Sequence, residues 1–305
     1  MRPVTVRVPA TSANLGPGYD SFGLALALWD TYTAVPAEKW CVDIVGEGEE
    51  RFARDGRNRV AKAMAAVFEQ VEGAPKAAHI TCENRIPSAR GLGSSAAAVT
   101  GGVLLADALC GGVLPKERLF EIAARFEGHP DNVAPAIYGG FTIAWADEGG
   151  PKAATLRPGR GLAAIAVVSR ERLRTDASRG LVPTQVPHAD AAFGAARAGL
   201  LASGLILGRA DLIAAGLHDR IHQQYRASAV PDMERVIESL VRAGALGAVL
   251  SGAGPTVIGL VTAEDDAAAL ASAGKAAARM GPMPDGRLEP LVLGIDHAGA
   301  QVSRG

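Results

Sequence analysis

Apolar residues alternate with polar ones at the start of the chain, and this pattern predicts a β-strand. Val4, Val6 and Val8 share one face of an extended segment, because successive side chains of a strand point to opposite sides. Short apolar runs bounded by turn residues predict further strands. They cover 24–28, 31–35, 77–83, 162–169 and 288–295, with a turn and a strand within 136–145 and a strand–turn–strand at 248–260.

Segments with helical spacing of apolar residues lie between these strands. Asn58 is a candidate N-cap for a helix over 60–71, since its side-chain oxygen can accept a hydrogen bond from a free N–H of the first turn. Pro115 suits the first position of another helix. The remaining predicted helices are one that ends near 110, one over 191–207 behind the N-cap candidate Asp190, and three over 210–218, 231–243 and 265–279.

The composition changes near the middle of the chain. Residues 147–152, Asp-Glu-Gly-Gly-Pro-Lys, combine charge with turn-forming residues, as an exposed linker does. We therefore predict one domain over 1–152 and a second over 153–305. The second half has the order strand–helix–strand–strand–helix–strand, which is typical of a ferredoxin-like domain.

A glycine-rich stretch at 91–98, Gly-Leu-Gly-Ser-Ser-Ala-Ala-Ala, leads directly into an apolar helical segment. Glycine allows a positive φ and a close approach of a ligand to the backbone. The start of a helix adds unpaired N–H groups and a partial positive charge. The stretch therefore predicts a site for an anion such as phosphate, with serine hydroxyls able to reach phosphate oxygens or a hydrated Mg²⁺.

Two other interpretations of this stretch stay open at this point. Its small residues also suit a helix packed tightly against a neighbour. It matches the dinucleotide pattern G-x-G-x-x-A, but 84–90 separates it from the preceding predicted strand, and the acid expected about 20 residues on falls at Asp107 inside a helical pattern. It is not a P-loop, because no Gly-Lys-Ser/Thr follows it.

Two polar segments carry further candidate chemistry. The first, 9–20, is rich in turn residues and contains Asn14 and Asp20, which either cap turns or contact a ligand. The second, 127–132, has the sequence Glu-Gly-His-Pro-Asp-Asn. It is either an ordinary polar turn or a group of carboxylates and an imidazole for Mg²⁺ and a polar substrate.

Composition limits the class of protein. The 305 residues are 48% hydrophobic and 21% charged, which are globular values, and the net charge of −1 gives no reason to expect a nucleic-acid partner. Cys41, Cys82 and Cys110 lack the spacing of a metal site or a disulfide framework. We find no signal peptide and no apolar run as long as a membrane span. We therefore expect a cytoplasmic protein with no membrane partner.

Three motifs occur in order along the chain. They are 9–20 (Pro-Ala-Thr-Ser-Ala-Asn-Leu-Gly-Pro-Gly-Tyr-Asp), 87–98 with its Gly-Leu-Gly-Ser-Ser core, and 251–256 (Ser-Gly-Ala-Gly-Pro-Thr). Together they resemble the small-molecule kinase superfamily of galactokinase, homoserine kinase, mevalonate kinase and phosphomevalonate kinase. The first motif joined to 127–135, Glu-Gly-His-Pro-Asp-Asn-Val-Ala-Pro, resembles the homoserine kinases in particular. The resemblance covers nearly the whole chain.

The resemblance implies an α+β, two-domain kinase fold. An N-terminal domain of the ribosomal protein S5 domain 2-like type would hold ATP, and a C-terminal ferredoxin-like domain would close the site. The implied reaction is Mg²⁺-dependent transfer of phosphate from ATP to the side-chain hydroxyl of L-homoserine, in a homodimer. The alternatives are another small-molecule kinase of this superfamily and a non-catalytic metabolite-binding protein on the same fold.

The resemblance also implies roles for particular residues. Ser95 and Glu127 match the Mg²⁺ ligands, and Asp131, Asn14 and Arg179 match positions at the reaction centre. The positions that match nucleotide contacts are Asn58, Pro87, Ser88, Ala89, Arg90, Gly91, Leu92, Gly93, Ser94, Ser95, Ala96 and Ala97. The positions on the substrate side are Asn14, Asp20, His129, Asp131, Thr175, Arg179, Arg226 and Gly252.

The chain departs from the family pattern at two places. The loop at 127–131 is shorter than in several relatives, so Glu121 is an alternative to Glu127 as the metal ligand. Arg59 follows Asn58 where an aliphatic residue is commoner, which puts the nucleotide contact of Asn58 in doubt.

The chemistry of homoserine can be compared with the residues assigned to the substrate side. A bidentate guanidinium of Arg179 or Arg226 suits its carboxylate, and Asp20 with Asn14 suits its ammonium group. Asp131 is the candidate general base, and direct attack without a dedicated base is the alternative.

Overall fold

The computed structural model describes residues 2–173, 178–280 and 288–305. The strands are β1 (Val4–Ala13), β2 (Phe22–Ala37), β3 (Cys41–Gly46), β4 (Ala77–Asn84), β5 (Phe141–Asp147), β6 (Gly150–Leu156), β7 (Leu162–Ser169), β8 (Gly247–Leu250), β9 (Val257–Thr262), β10 (Leu288–Gly294) and β11 (Gln301–Arg304). The helices are α1 (Arg59–Phe68), α2 (Ser94–Leu109), α3 (Lys116–Glu127), α4 (Val133–Tyr138), α5 (His188–Leu207), α6 (Ala210–Gly216), α7 (Gln223–Arg226), α8 (Met233–Ala243) and α9 (Asp266–Arg279).

The first sheet has the strand order β11-β1-β2-β4-β3, and β5 joins it to β6 by pairing with β2. The two strands predicted at 24–28 and 31–35 form one long strand, β2. A register shift between Pro9 and Ala10 of β1 lies opposite Leu26 and Trp29 of β2. The extra residues of β2 break the alternation of apolar and polar positions there. This break explains why the sequence pattern predicts two strands, at 24–28 and 31–35, instead of one.

Helix α2 is the central element of this half, because it packs against β1, β2, α1 and α3. Its residues are buried on nearly every side. A Cβ atom added at Gly101 would lie 2.3 Å from the Tyr32 ring, and one added at Gly102 would lie 2.5 Å from the Val60 carbonyl oxygen. Small residues in this helix therefore permit close packing on two sides, as the packing interpretation of the stretch predicts.

The second sheet has the order β10-β7-β9-β8, and every pairing in it is antiparallel. Strand β7 leads through helices to β8, a tight turn joins β8 to β9, and α9 leads to β10. This is the predicted ferredoxin-like arrangement. Apolar side chains of β7 pack with those of α8 and α9 in one cluster, which includes Ile165, Val167, Val236, Leu240 and Ala273.

The predicted linker at 147–152 is wrong. Asp147 pairs with Gly150 across a hairpin that joins β5 to β6. The Asp147 carboxylate accepts a hydrogen bond from the Gly149 N–H at 2.9 Å and forms an ion pair with Lys152 at 2.7 Å. Turn residues and charges are common to linkers and hairpins, so composition alone could not separate the two.

Strand β11 was absent from the prediction. It pairs with β1, from Val4 opposite Arg304 to Arg7 opposite Gln301. All of its residues are exposed, so the sequence shows no alternation there. The first sheet thus takes strands from both halves of the chain, and the boundary predicted between 152 and 153 lies within β6. The division into domains over 1–152 and 153–305 remains a prediction.

The helix caps agree with the sequence at one predicted position and differ at another. The Asn58 side chain accepts a hydrogen bond from the Val60 N–H at 2.9 Å, as expected of an N-cap. Asp190, by contrast, lies inside the first turn of α5, which begins at His188 behind Pro187. Proline pre-sets the backbone at that start, and the Asp190 carboxylate instead lies 3.6 Å from Arg220.

Helix α5 corrects another expectation. Among the described residues, α5 is the one helix that is long and apolar enough to cross a membrane, judged by its length and composition alone. A single helix of this kind is weak evidence for a membrane span, because a helix of a globular protein passes the same test. The expectation of no membrane partner remains a prediction.

A buried carboxylate fixes the turn that enters the glycine-rich loop. Asp30 of β2 accepts hydrogen bonds from the N–H groups of Arg85 and Ile86 at 2.6 and 2.8 Å, and from the Tyr32 hydroxyl at 3.0 Å. Burial raises the pKa of Asp30 to about 6, against the opposing effect of these donors. The charged form is therefore disfavoured in the folded protein relative to the unfolded chain.

We expect Asp30→Asn to remove a pH dependence of stability. Because the folded pKa lies above the ordinary value of 3.8, protonation stabilises the fold fully below that value and is lost as the pH rises through about 6. The free energy of unfolding of the wild type, minus that of the variant, should fall over this window by roughly 2–3 kcal/mol. Urea unfolding of both proteins between pH 4.5 and 7.5 measures it, and parallel pH profiles would contradict the assignment.

Candidate functional site

Three loops from distant parts of the sequence meet at one end of the two sheets. They are the loop after β1, the glycine-rich loop before α2, and the turn between β8 and β9. The Ser251 hydroxyl of the third loop donates to the Gly91 carbonyl oxygen of the second at 2.5 Å. Its oxygen also lies 2.8 Å from the Ser12 hydroxyl of β1, at the entry to the first loop.

Backbone hydrogen bonds join the same three segments. The Thr11 N–H donates to the Leu92 carbonyl oxygen at 3.1 Å, and the Gly252 N–H donates to the Ala13 carbonyl oxygen at 3.0 Å. The three motifs of the sequence are therefore one structural unit. They lie beside a cavity of about 720 Å³, a size typical of small-molecule and cofactor sites.

Two glycines of the second loop are required by the space around them. Gly93 is the N-cap of α2 with φ +72°, and a Cβ there would lie 1.9 Å from Thr11 Oγ1. A Cβ on Gly91 would lie 2.4 Å from the Ser251 carbonyl oxygen. Because glycine offers no side-chain cap, the first N–H groups of α2 have no capping side chain, and such groups at a helix start suit an anion.

The structure divides the residues predicted to contact the nucleotide into two groups. Pro87 is outside the cavity wall, while Leu92 and Ala97 are fully buried in the core. Ala89 has φ +56°, a left-handed conformation that is strained for a residue with a Cβ. The predicted positions that line the cavity are Asn58, Ser88, Ala89, Arg90, Gly91, Gly93, Ser94, Ser95 and Ala96.

The predicted metal residues are in contact at the N-terminus of α2. The Ser95 hydroxyl donates to Glu127 Oε1 at 2.7 Å, and both residues line the cavity. The Glu127 side chain is only 6% exposed and also forms an ion pair with Arg59. A hydroxyl and a carboxylate are the oxygen donors that Mg²⁺ prefers, so this pair fits the metal that the resemblance implies.

The alternative metal residue is engaged elsewhere. Glu121 forms ion pairs with Arg118 and Arg125, each at 2.6 Å, on the surface of α3. The hydrogen bond from Arg118 is the main cause that lowers the pKa of Glu121. Glu121 is not among the residues that line the cavity. Its position supports Glu127, rather than Glu121, as the better-placed ligand.

A histidine and an aspartate follow Glu127 and contact each other. The Asp131 carboxylate lies 2.9 Å from His129 Nδ1 and accepts the Asn132 N–H at 2.8 Å. The hydrogen bond between His129 and Asp131 is the main cause that raises the pKa of His129. His129 lines the cavity and Asp131 lies behind it, only 3% exposed. The aspartate thus orients the imidazole at the cavity wall.

The first loop positions two of the predicted substrate residues. The Asn14 side chain donates to the Gly252 carbonyl oxygen at 2.9 Å and accepts the Asp20 N–H at 2.9 Å. Both Asn14 and Asp20 have left-handed backbones, with φ +69° and +54°. The Asp20 carboxylate forms an ion pair with Arg179, which lines the cavity. Burial raises the pKa of Asp20, and Arg179 opposes this rise.

Arg226 is a buried cation surrounded by neutral acceptors. It is 1% exposed, and it contacts His222 Nδ1 at 2.7 Å and the carbonyl oxygens of Gly252 and Ser178 at 3.3 Å each. Within 2–173, 178–280 and 288–305, no carboxylate forms an ion pair with it. Burial lowers the pKa of Arg226 below its usual range. A buried cation of this kind favours binding of an anion.

His222 supports Arg226 and was not predicted from the sequence. Arginine only donates, so Nδ1 of His222 accepts and its proton lies on Nε2, which is 3.0 Å from the Gly16 carbonyl oxygen. Burial lowers the pKa of His222 to about 4, so the ring is neutral at pH 7 although Asp219 lies 3.8 Å away. Only the polar run at 218–226 could have suggested such a cluster from the sequence.

The remaining predicted substrate residues are Gly252 and Thr175. Gly252 has φ +57°, lines the cavity, and accepts hydrogen bonds from both Asn14 and Arg226. It therefore connects the first loop to the buried arginine. Thr175 lies outside the described residues.

Comparisons with known proteins identify the family of this chain. A family model described as the GHMP kinases N terminal domain matches residues 58–140, and one described as GHMP kinases C terminal matches 200–279. The homoserine kinase of Streptomyces avermitilis is 44% identical over 91% of this chain and 92% of its own length. That of Leifsonia xyli is 41% identical over 99% and 93%.

Solved structures show the same likeness. The homoserine kinase of Cytophaga hutchinsonii superposes with a TM-score of 0.87 at 26% identity, covering 99% of this chain and 98% of that one. A putative homoserine kinase of Listeria monocytogenes gives a TM-score of 0.80 at 30% identity and 99% coverage of both chains. These likenesses confirm the predicted α+β, two-domain kinase fold. The chain therefore belongs to the GHMP kinase family and, within it, to the homoserine kinases.

Proposed function

We propose that the protein transfers the γ-phosphoryl group of ATP to the side-chain hydroxyl of L-homoserine, giving O-phospho-L-homoserine, a precursor of threonine. One observation carries the proposal: an anion site at the N-terminus of α2 is hydrogen-bonded, through Ser251 and Gly91, to a loop that also reaches a buried arginine. The same turn would thus connect a phosphate at α2 with a carboxylate bound near Arg226. The family resemblance supplies the identity of both ligands.

In this proposal the triphosphate of ATP lies along the glycine-rich loop, against the N–H groups of α2. Asn58 lines the cavity as the N-cap of α1 and would contact the base. Its carboxamide also caps α1 through Oδ1 and donates to the Ala53 carbonyl oxygen at 2.8 Å, so it is held rigidly. A rigid amide loses little conformational freedom when a base binds.

The substrate side of the site suits a short zwitterion. Arg226 and Arg179 would bind the carboxylate of homoserine, since a guanidinium can form paired hydrogen bonds with it. Asp20 and Asn14 would accept hydrogen bonds from its ammonium group. The substrates of mevalonate-type kinases carry no ammonium group, so Asp20 would have no cationic substrate group to contact there. This difference favours the amino acid.

Phosphoryl transfer depends mainly on position and on electrostatic stabilisation. Ser95 and Glu127 would hold Mg²⁺, which would neutralise negative charge on the transferred group. His129 and Asp131 would orient the homoserine hydroxyl toward the phosphate. Asp131 is also the candidate general base for the proton of that hydroxyl. The resemblance further leads us to propose a homodimer in the cytoplasm.

The test is a coupled assay of ADP release with homoserine, mevalonate, galactose and shikimate as acceptors. We expect turnover with homoserine alone. Absence of turnover with homoserine would contradict the proposal, and turnover with another acceptor would support the alternative of a different small-molecule kinase. Calorimetry with homoserine and a non-hydrolysable ATP analogue separates a binding protein from an enzyme.

Arg179→Ala should raise the KM for homoserine by about tenfold or more, because it removes a charged hydrogen-bond donor from the carboxylate. The KM for ATP should change by less than about twofold, since this arginine does not contact the phosphates in the proposal. Initial rates with each substrate varied in turn measure both constants. Arg209→Ala is the control, because Arg209 forms an exposed ion pair with Asp211 away from the cavity. An equal loss of ATP binding would mean that Arg179 is wrongly placed.

Glu127→Gln should lower kcat by at least about tenfold, because an amide is a poorer ligand for Mg²⁺ than a carboxylate. Circular dichroism should show an intact fold. Glu121→Gln is the matched control: it removes only surface ion pairs and should leave kcat near the wild-type value. The reverse pattern, a large loss in Glu121→Gln alone, would assign the metal to Glu121.

A further inference from the structure

Arg59 lines the cavity beside the predicted metal residues. It is the first residue of α1, directly after the N-cap Asn58. Its guanidinium forms an ion pair with Glu127 Oε1, the same oxygen that accepts the Ser95 hydroxyl. The Arg59 side chain is 50% exposed, so it can move, while the carboxylate that it contacts is nearly buried.

Two cations therefore compete for one carboxylate. Glu127 is the better placed of the two candidate metal ligands, and a metal ion bound to it would take the position of the Arg59 guanidinium. Among the described residues, Glu127 is the acceptor with which Arg59 forms a hydrogen bond. Arginine has five N–H donors and holds its charge at any physiological pH. If the metal displaced it, the guanidinium would need another anion.

The nearest anion after displacement is the bound nucleotide. Arg59 and the glycine-rich loop line the same cavity, and Ser95 joins them through Glu127. Guanidinium groups form strong, paired hydrogen bonds with phosphate oxygens. The movement needs only a rotation of an exposed side chain, since the backbone at Arg59 is fixed by the cap of α1.

We propose that Arg59 couples metal binding to nucleotide binding. In the free enzyme it neutralises Glu127 and weakens the binding of a divalent cation alone. When a cation arrives with the nucleotide, Glu127 passes to the metal and Arg59 contacts the phosphates. The metal and the nucleotide thereby bind as a complex rather than separately. The inference rests on the proposed function only in placing ATP in this cavity.

The test measures binding of two probes to Arg59→Leu without any turnover. Free Mn²⁺, followed by electron paramagnetic resonance in the absence of nucleotide, should bind about fivefold more tightly, because its competitor is gone. The non-hydrolysable analogue AMP-PNP, titrated by calorimetry in Mg²⁺ at a concentration that saturates the metal site, should bind about tenfold more weakly, because a charged donor to phosphate is lost. The two changes have opposite signs, which a general loss of structure would not produce.

Two further variants sharpen the result. Arg59→Lys keeps the positive charge and should return both affinities toward the wild-type values. Arg118→Leu is the matched control, since it removes an arginine from another acid of α3, Glu121, outside the cavity. It should change neither affinity. Thermal unfolding of each variant confirms that the comparison is between folded proteins.

An unchanged Mn²⁺ affinity in Arg59→Leu overturns the proposal, as does an unchanged AMP-PNP affinity. These measurements do not involve homoserine. A protein that binds AMP-PNP but fails to phosphorylate homoserine would therefore contradict the proposed function while leaving this test valid. Equal shifts in Arg118→Leu would show that the effect is one of net charge, and would also overturn it.

Discussion

The close approach of two loops at Gly91 is the constraint on which the site depends. The Gly91 backbone passes so near Ser251 that a Cβ would lie 2.4 Å from the Ser251 carbonyl oxygen. The Ser251 hydroxyl closes the same contact by donating to the Gly91 carbonyl oxygen. Gly91 precedes α2, the helix that packs against the first sheet, and Ser251 follows β8 of the second sheet. This contact therefore fixes the two sheets relative to each other at the cavity. The helix N-terminus can therefore face residues of the other half.

The charges of the site follow from burial. Arg226 keeps its charge because guanidinium is a very weak acid, and its nearest partner, His222, is neutral at pH 7 because burial lowers its pKa. A carboxylate in place of His222 would pair with the arginine and weaken its attraction for a further anion. Arg179 differs, since it is already paired with Asp20 and is partly exposed. The two arginines thus offer a fixed buried charge and a more adjustable one, which suits a small ligand with both an anionic and a cationic group.

Much of the fold could be predicted from local sequence, and the errors of the prediction arise where strand pairing decides the structure. The N-cap at Asn58 and the glycine-rich start of α2 were predictable because a few adjacent residues determine them. The hairpin at 147–152 was taken for a linker because turn composition does not reveal what pairs across it. Strand β11 was missed because its residues are exposed and its partner lies at the other end of the chain.

The site shows the same division between local and distant information. Motifs located the glycine-rich loop and the acids near 127, but the sequence could not choose between Glu127 and Glu121, which depends on which helix face meets the cavity. It gave no sign of the Arg59–Glu127 pair, whose members are far apart in sequence. His222 was also missed, since its role exists only through Gly16 and Arg226.

Strained backbone in the chain is concentrated at this site. Among the described residues, the non-glycine positions with positive φ are Asn14, Leu15, Asp20 and Ala89, and all belong to the first two loops. Such conformations persist only where the surrounding structure holds them. Here the Asn14 carboxamide does so by linking Asp20 to Gly252. The glycine-rich loop and the loop after β1 are therefore held by one hydrogen-bond network, although each loop presents different residues. The N–H groups of α2 suit phosphate in general, so we propose that selection of the acceptor comes from Asn14, Asp20, Arg179 and Arg226.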